Sequence, residues 1–589
     1  MSKSLYENTI KVDTQYDYEL HDISSEPDVK LLKLSLDFKK KINPEPVVVK
    51  FYVKSENVFA QWSPAAEYIR NLRFNWSKAE CKSSAAFGSP VQCLYGADGV
   101  NSLTCAIADF KTPVSIKCGV CEEKSAIEMN IEIFTTMTAK RTEYETIIRL
   151  DMRNICICDI IHDISAWWRK VSNLPELSVP DIAKYPMYST WYSYHQNIDT
   201  EAVVAECKKA YELGMRAVIV DDGWQTDNSE RGYAYCGDWK PAPKRIGNMK
   251  AFVDAVHSTG MKFILWYSVP FVGKHSKAWN RFKGKFLDSE ENEYCVLDPR
   301  YNEVRDYLID TYENAVKEWG IDGFKLDFID SFRMTEFSNK YNSEMDTEQL
   351  EDAIEKLLSD VLKKLRDVNP DILIEFRQNY TGPLMQTYGN MLRASDCPLD
   401  ALTNRTKTLD LRMMSGCGVV HSDMLMWDKS GSTENAARQI TNVLFSVPQI
   451  SVKLGLNDST KDIDGIKEYK DSLEKIFEKL YGIQTIFMTP NMTNSRVYEF
   501  ETNAEIIKLM EETAKRQNTG VMDAYMDTAR KVCIEYNVAI CDCYKIWKDM
   551  ERLGIDTVEL LSNKINHPTE NMHWLFAFEL FKTILQINI

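Results

Sequence analysis

Two short stretches decide the fold of this chain: Arg216-Ala-Val-Ile-Val-Asp-Asp-Gly-Trp224 and Gly323-Phe-Lys-Leu-Asp-Phe328. Each is an apolar run too short for a helix. Such runs fit strands buried on both faces of a parallel sheet. Each also ends in acid, where a core has no use for charge. In a (β/α)8 barrel the active site is assembled at that end of the strands.

Working outward, strand-like and helix-like segments alternate. Tyr188–Tyr194 reads as a strand and Thr200–Leu213 as an amphipathic helix. Helices are predicted at Met249–Ser258, Tyr301–Trp319 and Gln349–Asp367, and strands at Lys262–Tyr267 and Asp371–Phe376. Asn390–Asp396, Gly418–Ser422 and Gln449–Leu454 complete a set of eight strands. This predicts a (β/α)8 TIM barrel over 179–454. A doubly wound sheet is the competing fold, but the chain has neither GxGxxG nor GxxxxGK[ST].

Upstream, runs such as Pro46-Val-Val-Val-Lys-Phe-Tyr-Val53 and Ala126-Ile-Glu-Met-Asn-Ile-Glu-Ile-Phe134 alternate apolar and polar positions. They predict an N-terminal β-sandwich over 1–178, with few helical periods. Residues 455–589 mix charged amphipathic helices with short strands at Thr485–Met488 and Val538–Cys541. They read as an incomplete α/β C-terminal segment.

The 589 residues carry 87 acidic and 71 basic side chains, a net charge of −16. That surface has no basic footprint for nucleic acid or an anionic membrane. No apolar stretch is long enough to cross a bilayer, and Met1-Ser-Lys-Ser-Leu-Tyr-Glu-Asn-Thr-Ile10 lacks the core of a secretion signal. Fifteen scattered cysteines fit thiols kept reduced, so the expected location is cytoplasmic. The close pairs Cys118/Cys121 and Cys156/Cys158 have no histidine nearby, so no metal is expected.

Four strand-end carboxylates are the candidate chemistry: Asp221, Asp222, Asp327 and Asp396. Each alone reads as a cap or rim ion pair. Several around one mouth point to a site. Lys325 and Asp327 are two apart in a strand and so share a face. An ammonium there favours an ionised, nucleophilic carboxylate. A second carboxylate on another strand, Asp396, would complete a glycosidase pair.

These pieces resemble the melibiase-type α-galactosidases, glycoside hydrolase family 36 of clan D. The matching segments follow the family's order: AVIVDDGWQ, GDWKPAPKRIGNMKAFVDAVHSTGMKFILW, GIDGFKLDF, RASDCPLDALTNR, then GCGVVHSD and SVPQISVKL. The resemblance implies a retaining exo-α-galactosidase that removes terminal α-linked galactose from oligosaccharides without a cofactor. It implies Asp327 as nucleophile and Asp396 as general acid/base. It further implies that Asp221 and Asp222 hold the galactose O4 and O6 hydroxyls, that Lys325 binds a ring hydroxyl and that Trp239 closes over the sugar. Trp266 ends the third strand, followed by Tyr267 where the family often has Glu-Pro. Arg377, in Glu375-Phe-Arg377, reads equally as a substrate contact or a rim ion pair. A galactosyl transferase or another α-glycosidase of the clan stays open, as does a catalytically impaired sugar-binding protein. Family members often form tetramers, which leaves a homo-oligomer as an expectation.

The tail resembles something else. Gly455-Leu-Asn457-Asp458 is similar to the Gly-x-Asn-Asp block of SGNH (GDSL-type) hydrolases, and LLSNKINHPTENMHWLFA to their final block, with His567 in the place of the base. The Gly-Asp-Ser nucleophile block is not found, and Lys564 stands where the family has an orienting Asp. No serine-dependent esterase activity is expected.

Overall fold

In the computed structural model, residues 5–587 are described except 7–8, 66, 176, 339, 429–432 and 454–464. The chain forms two compact units, Met1–Leu454 and Gly455–Ile589.

The first unit opens with an antiparallel five-stranded sheet and an antiparallel six-stranded sheet. Strand Val47–Lys54 shows why they pack. Val47, Val49, Phe51 and Val53 are buried and the residues between them are half-buried. Its neighbour Ala126–Ile133 keeps that phase, pairing Ile127 with Val53 and Ile131 with Val49. Leu32, Leu34 and Leu36 from the other sheet fill the same core, as two facing sheets require.

The strand pattern does not run on to residue 178. Ile157–Val171 is an α-helix with Ile157, Ile160, Ile161, Ile164 and Trp168 on its buried stripe. That spacing is helical, and it outweighs the β-branched propensity of the isoleucines. The helix ties sandwich to barrel: Trp168 Nε1 donates to the Ile107 carbonyl at 2.7 Å, and Ser165 Oγ to the Met414 carbonyl at 3.1 Å.

The barrel strands are β1 (Met187–Ser189), β2 (Ala217–Val220), β3 (Lys262–Ser268), β4 (Gly323–Asp327), β5 (Leu373–Arg377), β6 (Met391–Arg393), β7 (Val419–His421) and β8 (Gln449–Ile450). All neighbours are parallel, β8 pairs with β1, and a parallel bridge between His421 and Val447 joins the remaining edge. The first strand is shorter than its sequence suggests. Trp191–Tyr194 is a helical turn, because the chain leaves the sheet at Thr190, whose Oγ1 accepts the Asp221 amide at 3.0 Å. His421 is a buried barrel residue. Its Nε2 faces the Ala183 carbonyl at 2.8 Å, and burial pulls its pKa down to about 4.

The second unit holds a two-stranded parallel sheet, Ile486–Met488 with Ala539–Cys541. Helix Ile466–Lys479 buries Leu473 and Phe477 against Ala529, Val532 and Cys533 of helix Val521–Glu535. Asn457 lies outside the described residues. His567 is exposed, and its Nδ1 lies 2.8 Å from Asn563 Nδ2. An amide N–H there makes Nδ1 an acceptor, whereas a base oriented by a carboxylate donates from that nitrogen. Among the described residues no helix is long and apolar enough to cross a membrane, and all fifteen cysteines are free thiols.

Candidate active site

Asp327 is the last residue of β4 and is 5% exposed. Its Oδ1 accepts from Arg377 Nε at 2.7 Å, from the Tyr380 hydroxyl at 2.6 Å and from the Phe328 amide at 2.9 Å. Its Oδ2 accepts from Trp266 Nε1 at 3.1 Å. Burial pushes this carboxyl up, but the charges of Arg377 and Lys325 and the hydroxyl and indole donors outweigh it. The net result is a carboxyl held well below the usual range. Three donors saturate Oδ1, while Oδ2 keeps room for another partner.

Strand β2 presents Asp221 and Asp222 at the same end. Lys325 Nζ lies 2.5 Å from Asp221 Oδ2, so the ammonium stands between Asp221 and Asp327. Asp222 accepts from Gln196 Nε2 at 2.6 Å and Gln225 Nε2 at 2.7 Å. Burial pushes its pKa up to about 6, against the pull of those two amides. Gly223 makes the arrangement sterically feasible. Its φ is +111°, and a Cβ there would sit 2.5–2.9 Å from the Gln196 backbone.

Asp396 follows β6 in a loop, and its side chain is 48% exposed. Arg393 Nη2 donates to it at 3.0 Å. Burial raises its pKa, but Arg393, Lys325 and Arg377 pull it down further, so the group is held below its ordinary value. Arg393 is wholly buried. It also pairs with Asp423 at 2.5 Å and approaches Glu375 at 3.4 Å. The other oxygen of Asp423 accepts the Cys397 amide at 2.6 Å and the Tyr192 hydroxyl at 3.0 Å.

The indoles form one wall. Trp239, at φ +50° and 5% exposed, packs on Trp224 and Trp266, with ring centroids 6.1 Å apart in both pairs. It is thus one ring removed from Asp327, while Trp266 touches the carboxylate directly. His195 sits after β1, also with a positive φ, and its Nδ1 is buried without a partner.

The structure therefore brings Asp221, Asp222, Lys325, Asp327, Trp266, Arg377 and Asp396 to one barrel mouth. Arg377 is resolved as an ion-pair partner of Asp327. Tyr380, Gln196, Gln225, Arg393, Glu375 and Asp423 escaped the sequence reading. Arg393 had a usable signal, because an arginine inside a short buried strand needs carboxylates around it. Tyr380 and Gln196 had none, since each reaches the site from a loop.

A parallel barrel with this set of carboxylates at its strand ends is the architecture of a glycoside hydrolase barrel. Residues 183–393 match the melibiase family model and place the barrel in that family. The chain is 28% identical over 203 residues to the α-galactosidase Mel36A of Lactobacillus acidophilus, covering 32% of this chain and 26% of that protein. It is 27% identical over 150 residues to the α-galactosidase AgaA of Geobacillus stearothermophilus, covering 24% and 20%. The matched region thus spans about a quarter of the length of these relatives. The fold superposes on that AgaA in complex with stachyose with a TM-score of 0.53 at 13% identity, covering 80% of this chain and 75% of that one. The galactosidase domain of the α-galactosidase–sucrose kinase AgaSK gives 0.53 at 14% identity, covering 79% and 66%.

Proposed function

We propose that this protein is a retaining exo-α-galactosidase acting on oligosaccharides with a terminal α-linked galactose. The observation that carries this reading is Asp327, an ionised carboxylate with one oxygen saturated and the other open, at the C-terminal end of β4. Oδ2 attacks the anomeric carbon, and the bond to the leaving oxygen breaks. Protonated Asp396 delivers its proton to that oxygen. A water then gives a proton to Asp396 and attacks the anomeric carbon of the glycosyl ester. This frees Asp327 and releases galactose in its original configuration. Asp221 and Asp222 accept the O4 and O6 hydroxyls, Lys325 donates to a ring hydroxyl, and Arg377 orients Asp327. Trp266 and Trp239 form the apolar wall for the sugar face.

The test is hydrolysis of p-nitrophenyl α-galactoside, with proton NMR of the first-formed anomer. Asp327→Ala is expected to lower kcat/KM by about a thousandfold or more. An unchanged rate would remove Asp327 from the reaction, and a β-anomer as first product would replace retention by inversion.

One observation favours a second reading, a sugar-binding protein without turnover. Arg393 holds Asp396 ionised, whereas a general acid must carry a proton. Galactose binding without hydrolysis by the wild-type chain is the result that would support it.

A further inference from the structure

A cleft of about 570 Å³ opens where the sandwich meets the loops after β3 and β4. This lies within the size range of small-molecule sites, about 300–1,000 Å³. Its barrel wall is built from Phe271, Tyr294 and Phe332, and Phe87 of the sandwich faces them. Phe271 stacks on Phe328 with centroids 4.8 Å apart, and Phe328 directly follows Asp327. Arg377, which binds Asp327, lies over the same Phe328 ring at 5.2 Å. The cleft thus begins one aromatic ring away from the nucleophile.

Its polar lining has a clear character. Asp288 and Asp330 are offset by Lys82 and Arg333, so neither sign dominates. Hydroxyls come from Ser84, Thr135, Thr136, Ser331 and Thr335. A polyanion or polycation would meet as much repulsion as attraction there. A neutral polyhydroxyl chain fits, because its ring faces can lie on the aromatics while its hydroxyls bond to carboxylates and side-chain hydroxyls. Asp330 is close enough to Arg377 and Asp327 for both charges to act on it, which keeps the cleft continuous with the mouth.

We infer that this cleft holds the leaving-side sugars of an α-galactosyl oligosaccharide, with the sandwich supplying one wall. The inference rests on the galactosidase reading and adds to it a preference for substrates longer than one glycosidic linkage. The sandwich then contributes to specificity as well as to stability.

The experiment compares an α-galactosyl tetrasaccharide with p-nitrophenyl α-galactoside as substrates of the full chain. Thr136→Trp fills the cleft from an exposed position, and Tyr294→Ala removes a ring. Each is expected to lower the ratio of kcat/KM for the tetrasaccharide to that for the nitrophenyl substrate by about tenfold, mostly through KM. Binding of the tetrasaccharide to Asp327→Ala, with and without Thr136→Trp, is measured by calorimetry in parallel. A ratio and a binding constant that both stay at the parent values would overturn the cleft assignment. No turnover of either substrate by the wild type would instead sink the galactosidase reading. In that event a loss of tetrasaccharide binding in Thr136→Trp would still place sugar in the cleft.

Discussion

Asp222 carries a measurable cost in the free protein. Its neighbours are amides, its burial is nearly complete, and its pKa rises from the ordinary 3.8 to about 6. The sign follows directly. Between about pH 4 and 6 the folded chain binds more protons here than the unfolded chain, so this group's contribution to stability falls as pH rises through that window. Asp222→Asn removes the titration. The stability of the wild type relative to the variant is therefore expected to drop by about 3 kcal/mol from pH 4 to above pH 6, on top of any constant offset from the altered amide contacts. Urea unfolding at a series of pH values measures it, and a pH-independent difference would contradict it. A galactoside would supply the hydroxyl donors that the bare carboxylate lacks, which is how a binding residue can be costly to stability and useful to recognition. Asp327 sits at the opposite extreme, where two cations and four hydrogen bonds overcome an equally complete burial.

At the scale of elements, the loops after the strands do most to shape the mouth. Gly382, in the loop after β5, illustrates the tolerance. A Cβ there would lie 2.2 Å from the carbonyl oxygen of Gly88, in the sandwich loop whose amide donates to the Asn379 carbonyl at 2.7 Å. Gly382→Ala must push two backbones apart and is expected to cost about 1–3 kcal/mol, read as a lower unfolding midpoint. An unchanged midpoint would show that the junction yields freely. The strands themselves were legible from sequence. Runs such as Ala217–Val220 and Phe263–Leu265 are buried on both faces and so are continuously apolar. Two elements misled for local reasons. Tyr188, Tyr192 and Tyr194 imitate a two-residue period, yet only Met187–Ser189 pairs in the sheet. The isoleucine-rich stretch after Cys156 suggested more strand, yet its three- and four-residue spacing made it a helix.

For the whole molecule, every residue of the mouth and every partner described for it lies in Met1–Leu454, and the second unit has apolar cores of its own. A chain of residues 1–454 is therefore expected to hydrolyse p-nitrophenyl α-galactoside within about twofold of the full chain, as a unit with its own core can fold alone. A loss of folding or of turnover in that shorter chain would tie the first unit to the second. The division of labour between sequence and structure follows from the range of the forces involved. Strand and helix periods, the acidic strand ends and the Lys325–Asp327 pairing are local patterns, set by residues a few positions apart, and they were present in the sequence. The charge states were not. Whether Arg377 reaches Asp327, whether Arg393 shares itself among Asp396, Asp423 and Glu375, and whether Tyr380 donates to the nucleophile depend on strands and loops distant in sequence meeting where water is excluded. In that low-dielectric space a contact of 3 Å decides the ionisation of a carboxylate, and only the closed barrel creates it.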